Sequence, residues 1–483
     1  MSILESKIET PEQFKEIKLV IQDHLLIQDQ KSELYKHHII GKLITFASST
    51  EVVDIQIEVL ETIDLFLQDS SDLILVSQSS ILYLCMILLK NSNPLLQIAS
   101  LKLLTSLCQY DENATALLQN HHLIKNIVLL AEQIMSQDIT EDITLLIQHF
   151  TTFMYICCSV STKVQKKLSQ AGISDFLLNA TEKLQDTTQP LASTLAILQM
   201  LSQEKFIAQA VMQRNYHEFL LKMLQKYLDN QTNIEICQLV LNLIGTICAV
   251  FSASVAQFMQ VKIPSMIYCI ILDTKDINLL RFAVSALVEI LYADKGYKYQ
   301  NLTVNLRQIG QIDDLLQNLI DLPDKFEDDS ECYTVWAIMM RMLASVPKKE
   351  DHVRQSILCR GVLKRLLVGL TSDVSLNAKI SLLDALGQMF CRQQLPPQVY
   401  LDDLAKTTSV VLKLKREFVS FKNQKSAEKL LYLEAVERAK TVLERLGHQE
   451  GRNTTKYTMY SMFIMGCTLL VGAGISFLVR GVN

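Results

Sequence analysis

One phrase recurs along the chain: a glycine or polar residue, an aliphatic one, then a leucine-rich stretch. It reads HLIKNIVLL from His122, GISDFLLNA from Gly172, NYHEFLLKML from Asn215, KIPSMIYCII from Lys262, QIDDLLQNLI from Gln311 and GVLKRLLVGL from Gly361. The starts lie 50, 43, 47, 49 and 50 residues apart, and SILYLCMILL from Ser80 precedes the first by 42. Polar breaks follow the phrase, such as NSNP (Asn91–Pro94) and QDTTQP (Gln185–Pro190). A longer apolar stretch comes next, for instance LLQIASLKLLTSLC, LASTLAILQML, ICQLVLNLIGTIC and NAKISLLDALGQMF. Apolar residues there fall at i, i+3, i+4 and i+7, which lays them on one face of a helix. A helical unit of this length cannot bury its own apolar face, so it must stack on copies of itself.

The pattern resembles armadillo repeats, whose consensus runs GxIPxLVxLL, then AAxxALxNLA, then N and LxxxG. KKLSQAGISDFLL (Lys166–Leu178) matches that junction closely. The resemblance covers roughly residues 50–395, about seven irregular units with weak identity in each. It implies an all-α, armadillo-like right-handed α-solenoid. The longest irregularity, between Ile277 and Glu331, carries the acidic stretch DLPDKFEDDSE (Asp321–Glu331), read as a solvated loop. Residues 1–49 read as N-terminal capping helices, with Thr10-Pro11-Glu12-Gln13 as a helix start. After Pro396-Pro397, residues 396–450 read as C-terminal capping and basic juxtamembrane helices, and 451–456 as a hinge.

Composition agrees with helix. Apolar residues make up 49% of the 483, while 14 glycines and 8 prolines leave little material for hairpins. The net charge of −5 gives no reason to expect nucleic acid as a partner. Its distribution matters more: Val411–Arg452 holds ten Lys/Arg against six Glu. Lys413, Lys415, Arg416, Lys422, Lys425 and Lys429 crowd one part of it, a candidate contact with anionic lipid at roughly 1 kcal/mol per basic residue close to a membrane.

Tyr457–Val479 is a run of 23 residues without a charge, YTMYSMFIMGCTLLVGAGISFLV. At about 1.5 Å per residue such a helix spans a hydrocarbon core of about 30 Å with some tilt. Its apolar members, among them Phe463, Leu469, Leu470, Phe477 and Val479, favour insertion, with Tyr457 at one interface and Arg480 beyond the other. The expectation is a single transmembrane helix at 457–479, a short tail at 480–483, and a cytosolic N-terminal body. Met1–Glu12 has no apolar stretch of the kind a signal peptide needs, and the basic excess precedes the span. This resembles tail-anchored membrane proteins. A moderately hydrophobic span between cations resembles mitochondrial outer-membrane anchors more than those of the endoplasmic reticulum.

No residue pattern points to chemistry. The 11 cysteines form no CxxC, and Cys85, Cys108, Cys157, Cys237, Cys248 and Cys391 read as small buried thiols on helices. The adjacent pairs His37-His38 and His121-His122 point to different helix faces. HExxH, glycine-rich phosphate loops and GxSxG are absent from the sequence. The expectation is a non-enzyme without cofactor or metal.

The armadillo resemblance implies a groove lined by the third helix of each unit, where familiar members carry Trp and Asn four residues apart. Aligned on that consensus, the Asn slot here holds Ser106, Tyr155, Met200, Thr246, Glu289, Met342 and Gln388. The Trp slot holds Lys102, Thr151, Ala196, Asn242, Ser285, Ile338 and Asp384. The ladder is missing, so the backbone-gripping mode of nuclear-import carriers does not transfer. Lys102, Ser106, Tyr155, Asn242, Thr246, Glu289 and Gln388 remain as candidate groove residues. The sole tryptophan, Trp336, reads as core. The functional expectation is a membrane-tethered scaffold or adaptor for cytosolic proteins, with self-association through the membrane span open. The alternative is a membrane-confined chaperone or transport cofactor on the endoplasmic reticulum.

Overall fold

The computed structural model describes residues 8–25, 33–68, 80–109, 121–138, 140–160, 162–185, 187–230, 232–292, 306–307, 312–326, 329–346, 351–391, 401–422 and 429–446. Among these residues every regular element is a helix and no strand occurs. The chain divides into two compact units, Met1–Asn318 and Leu319–Asn483. The expected transmembrane helix lies outside the described residues.

The first unit opens with α1 (Pro11–Leu25), α2 (Glu33–Ser49) and α3 (Val53–Gln68), followed by the pairs α4 (Ser80–Leu88) and α5 (Pro94–Cys108), then α6 (His121–Ser136) and α7 (Glu141–Val160). Three full triplets come next. They are α8 (Thr162–Gln170), α9 (Ile173–Lys183) and α10 (Thr188–Leu201); α11 (Lys205–Gln213), α12 (Tyr216–Asn230) and α13 (Ile234–Val250); and α14 (Ser254–Gln260), α15 (Ile263–Asp273) and α16 (Ile277–Tyr292). α17 (Ile312–Ile320) crosses into the second unit.

Local chemistry sets the starts. The Thr10 hydroxyl accepts from the Gln13 N–H at 3.3 Å while Gln13 Oε1 accepts from the Thr10 N–H at 3.1 Å, a reciprocal capping box with Pro11 in the first turn. Asn93 caps α5 by accepting from the Leu95 and Leu96 amides at 3.0 and 3.2 Å, with Pro94 behind it. Two buried glutamines then tie third helices to the second helices before them. Gln56 donates to the Ala47 and Thr50 carbonyls, and Gln97 donates to those of Leu89 and Asn91. Carbonyls at a helix C-terminus have no intrahelical partner, so each amide satisfies groups whose burial would otherwise be costly.

The long helices form one layer, in which α3, α5, α7, α10, α13 and α16 each pack on the next. The second helices form the other, joined by α2–α4, α6–α9 and α12–α15 packing. Polar contacts complete it: Asn126 donates to the Met86 carbonyl at 3.4 Å, and Tyr216 donates to Thr181 Oγ1 at 2.6 Å. Leu103, Leu104, Phe150, Phe153, Leu195, Leu198, Leu241 and Ile244 fill the space between.

The second unit continues with a 3₁₀ turn (Leu322–Phe326), α18 (Ser330–Ala344), α19 (Asp351–Cys359), α20 (Val362–Thr371), α21 (Leu376–Met389), α22 (Leu401–Lys422) and α23 (Lys429–Arg445). α18 packs on α21 and α21 on α23, while α20 packs on α22. Within itself the second unit is again two-layered as far as Arg445. Trp336 is fully buried and donates its indole N–H to the Leu319 carbonyl at 2.8 Å. Arg354, also fully buried, takes both Asp351 oxygens at 2.8 and 2.9 Å and donates to the Met389 carbonyl at 2.6 Å, capping α21.

Four junctions between short first helices and second helices share one backbone solution. Gly172 (φ 82°), Asn215 (φ 56°), Lys262 (φ 62°) and Gly361 (φ 82°) all sit in the left-handed region, and each is the first residue of the recurring phrase. The turn is needed because the second helix must leave the first at a sharp angle: α14 and α15 meet at 71°. Glycine adopts this conformation without strain, asparagine at modest cost, and lysine at about 1–2 kcal/mol. An added Cβ at Gly361 would meet nothing within 4 Å, so substitution there isolates the backbone effect. Gly361→Ala should lower unfolding free energy by about 1 kcal/mol, and Lys262→Gly should raise it by about 0.5–1 kcal/mol. Urea melts of both variants provide the check.

Candidate partner-binding face

Packing along the layer of third helices leaves a strip of less buried positions on them. In the first unit Lys102 is exposed on α5 with Ser106 half-buried one turn later, and Tyr155 is half-buried on α7. Asn242 and Thr246 are half-buried on α13, and Glu289 on α16. The structure therefore places these six in one layer, on α5 and α7 and, beyond α10, on α13 and α16. Sequence reasoning missed two members. His149 stands near Lys102, and burial together with that ammonium holds its imidazole below the ordinary value, hence uncharged at neutral pH. Gln199 donates to Thr246 Oγ1 at 3.1 Å, bridging α10 and α13.

The second unit uses the same slots differently. Asp384, in a Trp slot and only 11% exposed, pairs with Arg341 of α18 at 3.2 Å and Arg438 of α23 at 2.9 Å. Glu434 adds a contact to Arg438 at 3.2 Å. Gln388, in an Asn slot, donates to Ser345 Oγ at 2.9 Å and accepts from Arg445 at 3.1 Å. Arg445 also donates to the Gly387 carbonyl. Gln388 is thus committed to neighbouring helices.

The basic positions separate on inspection. Lys413, Arg416 and Lys429 are exposed and Lys415 is half-buried. Lys425 and the side chain of Lys422 lie outside the described residues, as do Tyr457, Phe463, Leu469, Leu470, Phe477, Val479 and Arg480. Among the described residues no single helix is long and apolar enough to cross a membrane. The bent pair α14–α15 passes by length and composition, but Phe258, Ile263, Ile267, Ile270 and Ile271 are core.

Cys85, Cys108, Cys157, Cys237 and Cys248 are buried, and burial raises the thiol pKa of Cys85, Cys157, Cys237 and Cys248. Cys391 departs from the expectation: it is exposed, because α21 ends at Met389 and the residue falls just past the packed helix. Among the described residues no group of three or more His, Cys, Asp or Glu could hold a metal ion.

No family model and no curated protein matches the sequence. Among solved structures, the chain is similar to one from a study of the phosphorylation switch controlling the interaction between cadherin and β-catenin, with TM-score 0.58, 10% identity, and coverage of 92% of this chain and 80% of that one. It also matches the crystal structure of an engineered protein, with TM-score 0.40 and 16% identity over 55% of this chain and 98% of that one. The first likeness, with the two-layer packing, supports an armadillo-like helical-repeat fold.

The Asp384 cluster carries a pH dependence. Burial pushes its carboxyl above the ordinary value of 3.8, and Arg438 and Arg341 only partly oppose this. The folded state holds that proton more tightly than the unfolded chain. Stability from this group is therefore fully present below pH 3.8 and is lost as pH rises through the higher folded value. Asp384→Asn, which cannot ionise, should gain on the wild type as pH rises from about 3.5 to about 6, read as the difference in urea midpoints.

Proposed function

We propose that the protein is a non-catalytic interaction scaffold or adaptor, held by residues 457–479 on the cytosolic face of an organelle membrane, with the mitochondrial outer membrane as favoured address. The observation that carries the scaffold reading is the set of incompletely buried slots on α5, α7, α10, α13 and α16, consecutive helices of one layer that a polypeptide partner can cross in order. The fold's likeness to a chain studied for its interaction with cadherin agrees in kind. Lys102 and the uncharged His149 at one end, polar Asn242 and Thr246 in the middle and Glu289 at the other give the set a direction. The absence of the Trp/Asn ladder means that side-chain contacts, rather than a backbone grip, select the partner.

The tether reading rests on the uncharged 23-residue run and the basic stretch before it. In this reading Lys413, Lys415, Arg416, Lys422, Lys425 and Lys429 lie near anionic lipid. Residues 457–483 fused to a fluorescent reporter should label mitochondria; labelling of the endoplasmic reticulum would overturn the address alone. Proximity labelling on the membrane-bound chain names the partner. Replacing both Tyr155 and Asn242 with alanine should weaken that partner about tenfold or more while unfolding free energy moves by under about 1 kcal/mol. Unchanged affinity would remove these slots from the binding surface, and nucleotide-sensitive chaperone association would favour the chaperone-cofactor reading.

A further inference from the structure

The hairpin of α22 and α23 carries an apolar tip that nothing among the described residues covers. Val419 and Phe421, in the last turn of α22, are 37% and 42% exposed, and Leu430, in the first turn of α23, is 78% exposed. Leu430 is the most exposed large apolar side chain among the described residues. The tip is held rather than loose. Tyr432 stacks on Phe421 with ring centroids 5.5 Å apart, and Phe418, buried behind it, meets the same ring at 6.4 Å. Exposed cations flank it: Lys413 and Arg416 one turn apart on α22, and Lys429 beside Leu430. Glu417 is the exposed acidic residue among the described residues of this stretch, and Glu428 lies outside them.

We propose that this tip inserts into the headgroup–acyl boundary of an anionic bilayer, with Val419, Phe421 and Leu430 entering the boundary and Lys413, Arg416 and Lys429 binding lipid phosphates or carboxylates. A small apolar patch ringed by cations fits that interface, where greasy side chains descend a few ångströms and ammonium and guanidinium groups stay among headgroups. A protein groove would ask for a longer apolar ridge than one helix turn on each side. The proposal rests on the tether reading for which membrane is met, and covalent reach permits it. α23 is 17 residues long, about 25 Å, so the tip lies that far from Arg445, where the described helix ends. The ten residues between Leu446 and Tyr457 extend up to about 35 Å, enough for the tip and residue 457 to meet one membrane plane.

The test uses the full chain carrying Leu430→Trp, reconstituted with vesicles of phosphatidylcholine alone or with about a third phosphatidylserine, each with brominated acyl chains. Trp336 is buried in the core and serves as the unquenched internal reference. The expected result is a blue shift and at least a twofold loss of the introduced indole's emission in anionic vesicles, diminished when Lys413, Arg416 and Lys429 are replaced by glutamine. Flotation with both vesicle types but no quenching overturns the insertion and leaves the tether intact. Flotation and quenching with anionic vesicles only supports the insertion and overturns the tether. No flotation with either overturns both.

Discussion

Among the described residues, α5, α7, α10 and α13 of the first unit each bury two flanks at once, one against the third helix before and one against the third helix after. α13 shows what that demands: Ile236, Cys237, Val240, Leu241, Leu243, Ile244, Gly245, Ile247 and Cys248 are all buried along 17 residues. The approach is close enough that Gly245 lies against the Ala286 backbone of α16, where an added Cβ would come within 3.5 Å. A helix so enclosed has one narrow strip left, and at 3.6 residues per turn that strip is a pair of positions four apart. Asn242 and Thr246 are that pair on α13, Lys102 and Ser106 on α5, Ser285 and Glu289 on α16, and Asp384 and Gln388 on α21. The slots are therefore a residue of the packing constraint, and anything that reads the layer reads them.

Chemistry at the strip differs between the units. In the second unit the strip is closed by its own neighbours: Asp384 bridges two arginines from opposite sides, and Gln388 links Ser345 to Arg445. Burying a carboxylate costs so much that two arginines return it only partly, so this cluster is better understood as fixing the register of α18, α21 and α23 than as a source of stability. In the first unit Gln199 bridges to Thr246 across the strip. Tyr155 and Asn242 are half-buried. In the second unit the slot positions thus serve cohesion.

How much of this was legible in the sequence follows from what is local. The places of the junctions were legible as the first residues of the recurring phrase, whereas their left-handed backbone was not read from the sequence, since lysine at 262 gives no local signal for it. The capping box at Thr10 was legible as a local pattern. Trp336 was assigned to the core from its displacement off the slot, and its hydrogen bond to the Leu319 carbonyl explains how a buried indole N–H is tolerated. What escaped is lateral. Nothing local pairs Arg438 with Asp384, 54 positions away, or Gln97 with the carbonyls ending the helix before it. Cys391 failed differently, because helical periodicity continues two residues past the point where α21 stops.

These observations separate the positions that hold the chain together from those free to carry function. Arg354, Trp336, Gly369 and the buried glutamines each satisfy a backbone carbonyl or permit a close approach; an added Cβ at Gly369 would fall 2.7 Å from the Tyr333 ring. Losing one leaves a buried polar group unpaired or forces helices apart, with consequences for the stack and none specific to a partner. The strip of the first unit and the tip of the α22–α23 hairpin have the opposite character. Their side chains are only partly buried or exposed, so the stack depends on them less than on its core. A repeat fold can alter such positions one helix at a time, since each unit touches only its neighbours. That freedom accounts for a sequence in which the period and the junctions follow the armadillo pattern while the Trp/Asn ladder is missing. The packing constraint fixes the former, and only the choice of partner fixes the latter.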